Sequence, residues 1–101
     1  MTSIHSIEDF YKLVEHSGVP PSSWKKEKAA LWWDAKGNWV KAHELVDSLS
    51  TPTAMWIHAY LHRKEGDQWN AEYWYRRAGK PIPDKSLEAE FEDLVRSLLL
   101  Y

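Results

Sequence analysis

Gly37-Asn38-Trp39-Val40-Lys41-Ala42-His43-Glu44-Leu45-Val46 aligns without a gap on Gly66-Asp67-Gln68-Trp69-Asn70-Ala71-Glu72-Tyr73-Trp74-Tyr75, at an offset of 29 residues. In each copy a glycine can take the left-handed conformation that stops one helix, and the following Asn or Asp can cap the next. Five residues after each glycine comes an alanine, small enough for the second helix to approach the first closely. Ala30 and Ala59 keep the same offset upstream, so each crossing is small on both sides. The expected unit is an antiparallel helix-turn-helix pair, present twice.

Working outward, punctuation by Gly, Pro and capping residues divides the rest of the chain into segments of helical periodicity, about six in all and none with a strand's alternation. Ser6 with Asp9 resembles a capping box opening a helix whose Ile7, Phe10, Tyr11 and Val14 share a face; Gly18 and Pro20-Pro21 end it. Ser23 is expected to cap a second helix carrying Trp24, Lys28, Leu31, Trp32 and Ala35. The third runs from Trp39 toward Leu49, the fourth from about Thr53 to Lys64 with Pro52 suited to its first turn, and the fifth from Gln68 to Ala78. Asp84 or Ser86 begins a sixth, with Leu87, Phe91, Leu94, Val95 and Leu98 inward and Glu88, Glu90, Glu92 and Asp93 on its wet side.

From Trp24 to Pro83 the chain resembles the tetratricopeptide-repeat family. Gly66-Asp67, Ala71, Tyr75, Ala78 and Pro83 fall at the family's glycine, small, aromatic, small and proline positions. The first copy keeps Gly37 and Ala42 but has Val46 and Leu49 where an aromatic and a small residue are usual, and the period is shorter than the usual ~34 residues. The resemblance implies an all-α domain over residues 1–101, with two stacked right-handed hairpins at about 24–83, an N-terminal capping helix and a C-terminal one at 84–101. The run from Trp56 to Gly79 also looks like a family of small proteins with no assigned activity.

Bulk composition narrows the functions. A chain of 101 residues with 44% hydrophobic and 28% charged content suits one globular domain. A net charge of −2 supplies no basic stripe for phosphates, which argues against nucleic acid. With no cysteine there is no thiolate nucleophile and no cysteine-ligated zinc, leaving His and carboxylates as ligand types. The run Met1-Thr2-Ser3-Ile4-His5-Ser6 lacks the basic start and apolar stretch of a signal peptide, and no segment reaches transmembrane length, so a cytoplasmic protein without membrane contact is expected. Seven Trp and five Tyr must fill the core or line a recognition surface, and self-association is one use for them.

Two constellations could carry function. By the resemblance, the first helix of each hairpin lines a groove that receives peptides, placing Trp24, Leu31 and Asp34 beside Trp56, Tyr60 and Arg63. Aromatics with Arg are the residue types of recognition hot spots, so a binding or scaffolding module for a peptide or small polar ligand is the leading expectation. Folding of the terminal helices over that groove into a closed bundle is the competing one. The second constellation is His58 with His62, four apart and hence on one helix face, as in helical two-histidine metal sites. Ala59 follows His58, so the His-Glu-x-x-His signature is absent, and a third ligand would come from Glu65, His43 or Glu44. The preferred reading gives both histidines structural hydrogen bonds and assigns no metal and no cofactor; a metal-binding protein or enzyme built on them is the alternative. Phosphate-binding glycine loops, the Gly-x-Ser-x-Gly elbow and Cys nucleophiles are missing, so catalysis is not the first expectation.

Overall fold

Glycine and capping residues set the helix ends much as their chemistry requires. The structure, a computed structural model, describes residues 6–99; the expected N-terminal run before Ser6 and the last two residues of the C-terminal helix lie outside them. Six α-helices follow one another: α1 (Ile7–His16), α2 (Lys26–Ala35), α3 (Trp39–Asp47), α4 (Pro52–Glu65), α5 (Gln68–Ala78) and α6 (Leu87–Leu99), with no strand among the described residues. No helix among them is long and apolar enough to cross a membrane.

The turns after α2 and α4 have the same local form. Gly37 and Gly66 both sit at φ 90°. The amide of Gly37 donates to Asp34 O and that of Asn38 to Trp33 O, while Gly66 donates to Arg63 O and Asp67 to His62 O. The Asn38 and Asp67 side chains then accept from the amides three residues on, Lys41 and Asn70, so each loop residue supplies an acceptor to a helix start that lacks one. Ala30, Ala42, Ala59 and Ala71 are fully buried, consistent with close approach within each pair.

Two sequence expectations are corrected. Ser23 does not cap α2 and Trp24 is not in it: the helix starts at Lys26 with Lys25 at its N-cap and no side-chain cap bond. Trp24 instead stacks on Phe10 of α1 at 6.0 Å, with the Lys28 ammonium over its ring, so burial against another helix outweighs a local cap. Glu90 is not on the wet side of α6; it is 2% exposed, for reasons given below. Smaller shifts occur at other ends: Thr51 caps α4, whose first residue is Pro52, and Ser86 accepts from Ala89 at the start of α6.

α2 pairs with α3 and α4 with α5, and α4 is central, touching α2, α3, α5 and α6. α1 and α6 pack on each other and on α2. Phe10, Leu31, Trp32, Val46, Ile57, Leu61 and Leu94 form the shared core, whereas Ala59, Ala71 and Tyr75 make a second cluster between α4 and α5. This arrangement leaves α4 with two polar stripes, one facing α3 and α5, the other facing α2 and α6.

Candidate metal centre

Met55, His58, His62 and Glu65 recur at three- and four-residue spacing, so α4 carries them along one stripe. α3 lies antiparallel beside that stripe, joined to α4 through Thr51, and its His43 reaches the two α4 histidines. His43 Nε2 is 3.1 Å from His58 Nε2, and His58 Nε2 is 3.1 Å from His62 Nε2. The ligand atoms of all three residues lie within 4.8 Å of one another.

A ring nitrogen has one in-plane position, holding either a proton or a lone pair. His58 Nε2 can therefore make one well-directed hydrogen bond, yet two other Nε2 atoms compete for it. Its Nδ1 is buried and has no hydrogen-bond partner. A cation at the point where three lone pairs meet would replace this competition with three bonds. Metal–nitrogen bonds of about 2.0–2.1 Å in tetrahedral geometry separate neighbouring nitrogens by about 3.3 Å, close to the two 3.1 Å separations at His58, with the third pair inside 4.8 Å.

Electrostatics and packing keep the imidazoles suited to that role. Burial, reinforced by neighbouring His43 and His62, pushes His58 down to about 4, against an opposing pull from Asp47, so it carries a lone pair at neutral pH. Glu65 Oε2 lies 2.6 Å from His62 Nδ1. A carboxylate only accepts, so Nδ1 carries a proton, and in the neutral ring Nε2 is then the nitrogen with the lone pair, the usual carboxylate-histidine arrangement behind a metal. Trp74 of α5 stacks on His58 at 3.9 Å, and Trp39 stacks on His43 at 4.9 Å. Trp39 is itself anchored by its indole N–H, which donates to Leu61 O at 2.8 Å. Glu44 is exposed and is not in the cluster.

The groove-lining residues have a different fate. α6 lies over the face expected to receive a peptide, and Leu31 and Tyr60 are buried beneath it with the core. Arg63 Nη1 donates to Glu90 Oε1 at 2.8 Å and its Nη2 donates to Lys85 O; Trp56 Nε1 and Tyr75 OH donate to Glu90 Oε2 at 3.1 and 2.6 Å. Those three donors, on α4 and α5, are the reason Glu90 tolerates burial. Asp34 is also buried and pairs with Lys64 at 2.9 Å. Trp56, Arg63, Tyr60 and Asp34 are thus gathered under α6, and Trp24 packs apart from them on α1.

No known protein family, curated protein or solved structure matches the chain. The reading of this centre therefore stands on its geometry.

Proposed function

We propose that this protein binds a divalent transition metal through the Nε2 atoms of His43, His58 and His62. The observation that carries the reading is the convergence of three imidazole nitrogens, one of them 3.1 Å from both others, on two helices held by aromatic packing. Three nitrogen ligands without sulfur suit zinc, nickel or copper rather than calcium or magnesium, which take oxygen. A fourth position is left for water or another ligand, as in zinc sites that are not purely structural.

Calorimetric titration of chelator-treated protein with zinc is expected to give one site per chain. His43→Ala and His62→Ala remove it, and Glu65→Gln weakens it by about 10- to 100-fold by releasing the His62 ring. A folded protein that takes up no zinc, or whose binding ignores His43→Ala and His62→Ala, rejects the proposal.

The scaffold is read as two degenerate tetratricopeptide-like repeats. Support comes from the matching Gly37 and Gly66 turns and from buried Ala42 and Ala71. A peptide-binding role for the inner groove would require α6 to leave Glu90's partners; the metal reading requires no such rearrangement.

A further inference from the structure

Trp69, Tyr73 and Arg77 of α5 belong to neither core cluster and are not among the histidine ligands. Spaced four residues apart, they form one ridge on the helix surface. Trp69 is 76% exposed and Tyr73 39%. Their rings stack at 6.4 Å and 11°, and the Arg77 guanidinium lies 5.8 Å from the Tyr73 ring and 4.8 Å from that of Trp74. The first hairpin provides an internal comparison. At the 29-residue offset the same ridge reads Val40, Glu44 and Ser48, all exposed. The hairpin architecture therefore does not require large aromatics there. Trp, Tyr and Arg are instead the types that dominate the energetics of interfaces.

Charge along the ridge selects the occupant. Asp67 caps the start of α5 and Glu72 follows, whereas Arg76 and Arg77 stand in its last turn. A second copy of α5 laid antiparallel about a two-fold axis at Tyr73 sets each acidic half against a basic one and each Trp69 against the partner's Arg77. A parallel copy would set arginine on arginine. The guanidinium is planar, so with one face toward its own Tyr73 and Trp74 the other can stack on an indole. We infer that this ridge is the interface of an isologous homodimer in which α5 packs antiparallel on α5 of a second copy. The interface does not rest on the metal proposal. One helix face is a small interface, so the dimer expected is a weak one that forms in the upper micromolar range.

Sedimentation velocity of the full chain, in chelator so that no metal bridges two copies, is expected to show the mass rising toward twice that of the chain as its concentration approaches about 1 mM. Trp69→Ala and Arg77→Ala, at exposed positions that leave the core untouched, should each weaken association by at least about tenfold. Val40→Ala, on the equivalent ridge of the first hairpin, should leave it unchanged. Isotope-filtered NMR on a mixture of labelled and unlabelled chains should show Trp69 ring protons of one copy in contact with the Arg77 side chain of the other. A chain that stays monomeric at about 1 mM, a dimer indifferent to both substitutions, or one whose contacts between copies join Trp69 to Trp69 would each overturn the inference.

Discussion

The two polar stripes of α4 face similar surroundings but resolve them differently. On the inner side, Glu90 is enclosed by three donors, and Asp34 is paired with Lys64. On the outer side, three histidine nitrogens share too few directed hydrogen bonds, and His58 Nδ1 has none. Buried polar groups with matched partners behave as structural members. Convergent groups of one kind, left competing, are better explained by a cation that binds them together. On the proposed reading the inner stripe is architecture and the outer one is where a metal is ligated.

The largest test of that contrast removes the inner carboxylate. Glu90→Ala leaves Arg63 and Tyr75 facing each other without their acceptor and should lower unfolding stability by about 3–5 kcal/mol in urea melts. Glu90→Gln, which keeps an acceptor oxygen, should cost less. In metal-free protein His62→Ala should cost less than half as much as Glu90→Ala, since its ring keeps an edge in contact with solvent and its one carboxylate partner is exposed, whereas Glu90 is buried among three donors. Equal losses on the two sides would break the distinction.

A second test uses pH. His58 titrates at about 4 in the folded chain, below its ordinary 6.5, so the unfolded chain takes up a proton first. Its contribution is intact above about pH 6.5 and is lost as pH falls toward 4, on the order of 3 kcal/mol at most. Metal-free His58→Gln should show a correspondingly flatter stability profile over that interval than the wild type.

Smaller effects probe the scaffold shared by both stripes. Ala71→Leu forces a larger side chain between α4 and α5, where Ala71 is fully buried, and should cost about 1–3 kcal/mol. Gly66→Ala should cost about 1 kcal/mol by chemical denaturation, because the added Cβ meets nothing within 4 Å and only the φ of +90° resists it. A much larger loss there would mean that the turn contributes more than local conformation.

The scaffold was largely legible in the sequence because its signals are local. Gly37, Gly66 and Gly79 end helices, Asn38 and Asp67 begin them, and α5 runs over Gln68 to Ala78 as its periodicity requires. Trp24 was misplaced because its stacking partner, Phe10, lies far away in the chain. Glu90 was misplaced for a related reason: it borders the apolar stripe of α6, and only Arg63, Trp56 and Tyr75 from other helices draw it inward. The candidate metal centre was half legible. His58 and His62 share a helix face by spacing alone, whereas His43 stood only as one of three helper residues. A stronger signal was available: His43 and His58 lie eight and seven residues either side of Thr51, so an antiparallel α3–α4 pair sets them opposite each other.

The central claim concerns which nitrogen atoms meet, and long-range ¹H–¹⁵N NMR of the imidazoles reports that directly. On addition of one equivalent of zinc, the account predicts that the Nε2 resonances of His43, His58 and His62 move to the metal-bound range while their Nδ1 atoms remain protonated, with His16 unchanged. Spectra in which these three rings keep their metal-free resonances, or in which zinc selects Nδ1, would contradict it.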